Sequence, residues 1–193
     1  MTNISLILIL FLLSFSDIDN GPSNSCILWT QDYKLKWDDF QGIPDSTRTY
    51  HQQSATKTSI EVTTKIESRK IIYTVSCYFD KEKSWTINHT SKSILAHEQL
   101  HFDIAEIYAR NLRKKLFELK KISNSDLEKK VKEIYHEIIS TCIQYQLKYD
   151  DETNHSKDKK NQHIWNDRIK EILNQTNEYN SILVTVPNNK NAL

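Results

Sequence analysis

Residues 94–106 read ILAHEQLHFDIAE, with two histidines four positions apart and a glutamate directly after the first. Apolar residues recur at helical spacing around this stretch, with neither glycine nor proline to interrupt them. The pattern predicts a helix over about residues 91–120. Side chains four positions apart on a helix differ in direction by roughly 40°, so His97 and His101 are expected to point the same way.

The spacing HExxH predicts a zinc centre. Two imidazoles from one rigid helix suit tetrahedral zinc, and Glu98 is placed to act as the general base that takes a proton from the attacking water. The alternative is a solvated helix that carries two histidines without a metal. Apolar neighbours indicate instead that the helix is buried: Ile94, Leu95, Ala96 and Phe102.

A third zinc ligand has to come from a later element. Asp103 and Glu106 are turned by roughly 200° and 140° from His101 on a continuous helix. A second helix that returns antiparallel, at about 1.5 Å per residue, comes level with His101 near residues 145–150. This geometry disfavours Glu133, His136 and Glu137 and leaves four candidates: Asp150, Asp151, Glu152 and His155.

The rest of the pattern predicts strands followed by helices. Residues 54–66 and 71–79 are rich in β-branched residues and form an expected hairpin, with a third short strand near 85–87. A capping box, Ser125–Glu128, opens a second helix, and a third is expected over 164–178. We therefore expect an α+β fold, in which a small antiparallel sheet precedes an antiparallel helix pair and a C-terminal helix.

The N-terminal residues 1–16 are predicted to be a signal peptide, since residues 4–15 are nearly all apolar and small residues follow. Uncleaved, the same segment would anchor the chain to a membrane. The protein is thus expected to be secreted or periplasmic. We assign residues 17–27 to a linker, 28–178 to the single domain and 179–193 to a flexible tail.

Composition excludes several classes of partner. The net charge is +1 and there are two glycines in 193 residues, which disfavours nucleic acid and excludes glycine-rich phosphate loops. In an exported chain the three cysteines allow one disulfide. Cys77 with Cys142 is the expected pair, and three free cysteines are the alternative.

The chain resembles a family of predicted secreted bacterial zinc-dependent proteases, known mostly as a domain of unknown function. Four stretches carry the resemblance: LKWDDFQGIPD (35–45), FDKEKSW (79–85), LAHEQLHFDIAEIYARNLR (95–113) and YDDETNH…W (149–165). The match of Tyr149–His155 to the family's second block favours His155 as the third ligand, with Glu152 and Asp150 as alternatives. The chain departs from the family at Ser156, where glycine is usual.

The sequence as a whole predicts a zincin-like metallopeptidase that hydrolyses peptide bonds, or another amide of the cell envelope, with zinc on His97, His101 and His155. The alternative function is an exported binding or scaffold module that holds zinc without turnover. A peptide or protein is the expected partner. Asp103 and Glu106 are expected to anchor the sheet or the tryptophan segment around 37–40, and Tyr145 or Tyr149 could stabilise an oxyanion.

Overall fold

A computed structural model describes residues 25–44, 52–67, 70–119 and 124–187, without the side chains of 124 and 125. In these residues the fold is α+β, with a small antiparallel sheet and three helices. The strands are β1 (Cys26–Leu28), β2 (Ser54–Ala55), β3 (Thr58–Glu67), β4 (Lys70–Asp80), β5 (Trp85–Thr86) and β6 (Leu183–Pro187). The helices are α1 (Lys92–Glu118), α2 (Asn124–Thr153) and α3 (Lys159–Gln175).

The predicted hairpin is confirmed as β3 and β4, which pair from Thr58 with Phe79 to Glu67 with Lys70. Alternate residues of β3 face inwards, so that Ile60 and Val62 are buried. Because β3 covers one edge of β4, the strands β1 and β6 pair with the two ends of its other edge. The third expected strand, β5, forms a separate two-stranded sheet with β2.

The predicted limits of the domain need correction at both ends. β1 begins at Cys26, inside the expected linker, and β6 lies inside the stretch 179–193 that was expected to be a flexible tail. In β6, Val184 and Val186 are buried on the face that packs into the core. This strand is too short to stand out in the sequence, and β4 provides its partner from more than a hundred residues away. Residues 188–193 lie outside the described residues.

The helix pair is antiparallel, as predicted. His97 contacts Asp150, His101 contacts Gln146 and Lys115 contacts Glu137, so positions on α2 fall as those on α1 rise. The hydroxyl of Ser91 caps α1 by accepting from the Ile94 amide. The capping box predicted at Ser125 involves a side chain outside those described. α3 begins at Lys159, five residues before the expected start, because Asp158 caps it.

A buried ion pair joins α1 to the sheet. Glu106 accepts from Arg110 Nε at 2.9 Å and from Arg113 Nη1 at 2.7 Å. Arg113 also donates to the carbonyl of Val75 in β4. Glu106 thus anchors the sheet through Arg113, in agreement with the expectation that it has a structural role.

The disulfide expected between Cys77 and Cys142 is not formed, since all three cysteines are free. Cys77 is 0 % exposed on β4 and Cys142 is 1 % exposed on α2. Burial raises the pKa of both thiols, that of Cys142 to about 12. They pack as small apolar side chains in the core. No helix among the described residues has the length and apolar character needed to cross a membrane; the predicted signal peptide lies outside the described residues.

Candidate metal centre

Three buried side chains meet where α1 packs against the end of α2. His97 Nε2 and His101 Nε2 each lie 3.0 Å from Asp150 Oδ1, and the two nitrogens are 3.2 Å apart. The three residues are 3 %, 7 % and 6 % exposed. Among the described residues they form the group of histidine, cysteine and carboxylate donors able to hold a metal ion.

The outer nitrogens of both imidazoles are held by glutamine side chains. His97 Nδ1 lies 3.0 Å from Gln162 Oε1, and His101 Nδ1 lies 2.5 Å from Gln146 Oε1. Each glutamine is oriented by its own amide group: Gln146 Nε2 donates to the carbonyl of His101, and Gln162 Nε2 donates to Asn166 Oδ1. The oxygens therefore face the rings, and each Nδ1 carries the donated proton.

With both protons on Nδ1, each Nε2 presents a lone pair to the other and to Asp150. Three acceptors this close repel one another unless a cation lies between them. Donors that surround zinc tetrahedrally at about 2.0–2.1 Å lie about 3.3 Å apart, close to the 3.0–3.2 Å found here. The residues present thus fit a small divalent metal ion.

Without a metal, a proton can serve as the cation. Burial alone would lower the pKa of His101, but the charge of Asp150, its hydrogen bond and Glu98 outweigh burial and raise that pKa to about 9. Burial alone would raise the pKa of Asp150, yet the charge of His101 and hydrogen bonds from the histidines hold it well below its ordinary value. A metal ion that binds here has to displace this proton.

Glu98 lies beside the donor triangle and does not belong to it. Ser54 Oγ of β2 donates to Glu98 Oε1 at 2.5 Å. The other oxygen, Oε2, is buried and receives no hydrogen bond from the described residues. A buried carboxylate oxygen without a donor is costly and calls for a partner that the described side chains do not supply.

A cavity of about 520 Å³ opens onto these groups. Its lining is mostly polar, with Ala55 and Ile94 as the apolar members, and includes His97, Glu98, His101 and Asp150. Lys157 and Lys159 lie on its exposed rim. The volume is within the range of sites that bind small molecules or short segments of a polymer.

His155 reaches the same cavity from the turn that follows α2. Its Nδ1 lies 3.5 Å from Asp150 Oδ1, and its side chain is 35 % exposed. The backbone is left-handed at three successive residues, with φ of 47° at Asn154, 50° at His155 and 70° at Ser156. His155 as a zinc ligand stays a prediction. Asp150, one of the two alternatives, is the third donor in the triangle.

A sequence model of the family described as "Bacterial protein of unknown function (DUF922)" matches residues 20–156. The chain belongs to this family. The DUF922 match covers HExxH, Asp150 and His155, and it ends at Ser156, before α3 begins. No curated protein matches the chain significantly, and neither does any solved structure.

The remaining candidates of this DUF922 chain lie away from the triangle. Glu152 is exposed and accepts from Trp165 Nε1 at 2.9 Å. Asp151 is exposed beside it. Nearer the start of α2, the candidates that the helix geometry disfavoured are also exposed: Glu133, His136 and Glu137.

Two predicted structural roles are refined by the contacts. Asp103 faces away from the triangle and accepts from Trp29 Nε1 at 2.8 Å, so it anchors a tryptophan outside the 37–40 segment. Tyr149 is 0 % exposed, its ring stacks on His97 at 4.5 Å, and its hydroxyl donates to the carbonyl of His97. It supports a ligand and is too enclosed to reach an oxyanion in the cavity. Tyr145 packs against Trp165.

No pattern in the sequence had indicated three residues of the site: Ser54, Gln146 and Gln162. The sequence does contain a signal for Gln146, since residues 146, 149, 150 and 153 fall on one face of a helix. Gln162 lies beyond the DUF922 match, and its role depends on how α3 folds back. Ser54 comes from a two-residue strand whose position only the tertiary structure defines.

Proposed function

We propose that this protein is a zinc-dependent metallopeptidase of zincin type, with zinc on His97, His101 and Asp150 and with Glu98 as general base. The observation that carries the proposal is the position of Glu98 Oε2, a buried acceptor without a hydrogen bond from the described residues, beside a triangle of three metal donors. A structural zinc site needs no such base.

Zinc is preferred to other metals because two imidazoles and one carboxylate in a compact triangle are ordinary zinc ligands. When bound, zinc would supply a Lewis acid that lowers the pKa of water at the open position towards 7. The glutamines at Nδ1 hold the two rings in the tautomer that leaves Nε2 for the metal.

The chain's own residues then handle the protons. Ser54 holds Glu98 Oε1, so that Oε2 is left to accept a proton from the attacking water and to deliver it to the leaving amine. We expect His155, which lines the cavity, to donate to a substrate carbonyl. The polar lining of the cavity favours a peptide or cell-envelope amide over an apolar substrate.

Export is part of the proposal and rests on residues 4–15 alone. N-terminal sequencing of protein recovered from the medium or periplasm would reveal cleavage after residue 16. The partner that we propose is a peptide or protein outside the cytoplasm.

The test compares the full chain with Glu98→Gln on fluorescein-labelled casein in the presence of zinc. We expect wild type to release fluorescent fragments and Glu98→Gln to lose this activity while still holding about one zinc per chain. Glu133→Gln, an exposed glutamate on α2, is the matched control and should cleave like wild type.

The same experiment separates a peptidase from a scaffold that holds zinc. If Glu98→Gln loses its zinc, Glu98 is a ligand and the assigned role is wrong. If wild type holds zinc with four protein ligands and cleaves neither casein nor peptides, the scaffold function replaces the peptidase.

A further inference from the structure

The cavity beside the metal centre has basic side chains on one part of its wall. Two of its lining residues are acidic, and both already have a place in the metal centre: Asp150 belongs to the donor triangle and Glu98 lies beside it. The lining also includes Lys157 and Lys159. Among the residues that the structure describes, no further carboxylate lines this cavity. A substrate that enters it therefore meets positive charge at the rim.

The two lysines are carried by the same turn as His155. The His155 amide donates to the carbonyl of Asp150 at 2.9 Å, and the Asp158 amide donates to the carbonyl of Thr153 at 2.9 Å. Lys159 follows as the first residue of α3. These hydrogen bonds tie the backbone that carries the lysines to the last turn of α2, which holds Asp150. The lysines are thus attached to the metal donors through a short and fully bonded segment.

Neither lysine forms an ion pair with a residue that the structure describes. Their acidic neighbour, Asp158, has both carboxylate oxygens occupied by Asn161, whose backbone and side-chain amides each donate at 3.0 Å. Asp158 also does not line the cavity. Lysines elsewhere on the helices differ, since Lys115, for example, pairs with Glu137 at 2.7 Å. The charges of the two rim lysines remain available to a ligand.

Helix stability does not account for basic residues at this place. The N-terminal end of a helix carries partial positive charge, so acidic residues stabilise the first turn and basic residues destabilise it. Apart from its cap Asp158, α3 has no acidic residue there and begins with Lys159–Lys160. The first turn of α1, whose Ser91 and Ser93 also line the cavity, has no acidic residue either. Departures from a local rule of this kind are expected at functional sites.

The cavity also contains a group that calls for a partner. Glu98 Oε2 is buried and receives no hydrogen bond from the described residues. A molecule bound here thus extends from Glu98 and the metal donors towards the positive rim. We propose that the substrate of this site carries a carboxylate close to the amide bond that is cleaved, and that Lys157 and Lys159 bind this carboxylate.

This inference rests on the proposed peptidase function and names its substrate class, acidic peptides. Carboxylates are the anionic groups that a peptide carries without modification, and ammonium groups pair with them through charge-assisted hydrogen bonds. The carboxylate belongs to an acidic side chain or to the C-terminus of the peptide. The experiment separates these two sources.

The test uses three N-acetylated, C-amidated octapeptides of alanine and serine that differ in one central residue, which is Glu, Gln or Lys. The full chain with zinc receives all three in competition, and mass spectrometry measures kcat/KM for each. We expect the Glu peptide to be cleaved about tenfold faster than the Gln peptide, the size expected for two exposed ion pairs, and the Lys peptide to be cleaved slowest. The preference should shrink between about 50 mM and about 500 mM sodium chloride, because salt screens exposed charges.

Charge reversal at the rim is the decisive variant. Lys157→Glu combined with Lys159→Glu should reverse the order, so that the Lys peptide is cleaved faster than the Glu peptide. Lys129→Glu combined with Lys130→Glu, at the exposed start of α2, is the matched control and should keep the wild-type order. A merely structural effect of the rim substitutions would slow all three peptides alike and would not reverse their order.

A fourth peptide identifies the source of the carboxylate. It is the Gln peptide with a free C-terminus in place of the amide. If it is cleaved faster than the amidated Gln peptide by as much as the Glu peptide is, the rim lysines bind a terminal carboxylate. If only the Glu peptide is favoured, they bind an acidic side chain.

Binding without turnover separates this inference from the peptidase proposal. Fluorescein-labelled forms of the peptides are titrated into zinc-loaded Glu98→Gln, and fluorescence anisotropy measures each Kd. Tighter binding of the Glu peptide that is lost on charge reversal, without cleavage by wild type, would support the carboxylate site and remove the peptidase. Cleavage of all three peptides at equal rates, or an order that charge reversal leaves unchanged, would overturn the carboxylate site alone. Equal binding of the three peptides without any cleavage would overturn both.

Discussion

Gln146 Oε1 lies 2.5 Å from His101 Nδ1, and the same glutamine donates back to the His101 carbonyl. This pair of hydrogen bonds fixes the imidazole in the tautomer that a metal requires. Gln146 is 2 % exposed, and no reading of HExxH would have selected it.

Replacing Gln146 by alanine is therefore expected to weaken zinc binding by about 10–100-fold, the usual cost of losing a partner that orients a ligand. Competition with a chromophoric chelator measures the affinity. Gln144→Ala, an exposed change on the same helix, should have no effect. Equal affinity of Gln146→Ala and wild type would show that the hydrogen bond does not support the metal.

Asp150→Asn should reduce zinc affinity more severely than Gln146→Ala, because it replaces a charged ligand and leaves two imidazoles. His155→Ala should retain zinc and lose activity, and Glu152→Gln should resemble wild type. Elemental analysis of the three variants decides the third ligand. If His155→Ala loses its zinc and Asp150→Asn keeps it, then His155 is the third ligand, as predicted from the sequence.

Zinc binding should release a proton, since the pKa of His101 is raised to about 9 in the metal-free protein. Between pH 7 and 8.5 one proton has to be displaced, so the apparent affinity should rise about tenfold per pH unit. Calorimetry in buffers of different ionisation enthalpy counts the proton. Affinity that is independent of pH over this range would show that no shared proton occupies the site.

The same raised pKa has a consequence for stability without metal. The unfolded chain loses the proton near pH 6.5 and the folded chain near 9, so the stabilising contribution is full below 6.5 and is lost as pH rises towards 9. The loss is about 3 kcal/mol at most. Urea unfolding in EDTA should show this decline between pH 7 and 9. Constant stability across this interval would contradict the assigned pKa.

The left-handed turn that carries His155 predicts a stabilising substitution. Ser156 has φ of 70°, a conformation that favours glycine, so Ser156→Gly should raise the free energy of unfolding by about 0.5–1 kcal/mol. Ser140→Gly, in the exposed interior of α2, should lower it by about 0.5 kcal/mol. Destabilisation by both substitutions would show that the turn is not strained at Ser156.

Local periodicity in the sequence predicts some elements of the fold and not others. The hairpin of β3 and β4 and the helix with HExxH follow from local periodicity. The end of α2 does not, because the helix continues through Asp150 to Thr153, past Tyr149, the last residue of its apolar pattern. That extension keeps Asp150 four residues after Gln146 on the face towards α1, and it leaves His155 in the turn that follows the helix.

The sequence could not predict the pairings between distant segments either, because these also depend on the tertiary structure. β6 and β1 are short and gain their partners only when β4 presents its second edge. Gln162 depends on the turn at Asn154–Ser156 to bring α3 back over His97. Residue types at these positions carry no distinctive pattern, so only the three-dimensional structure identifies them.

The central claim is that His97, His101 and Asp150 hold one zinc ion with an open position beside Glu98. Anomalous X-ray diffraction at the zinc absorption edge, on crystals of the protein grown with zinc, tests it most directly. We expect one strong peak about 2.0–2.1 Å from His97 Nε2, His101 Nε2 and an oxygen of Asp150, with no other side chain completing a fourth bond. A peak elsewhere, or no peak at these three residues, would contradict the account.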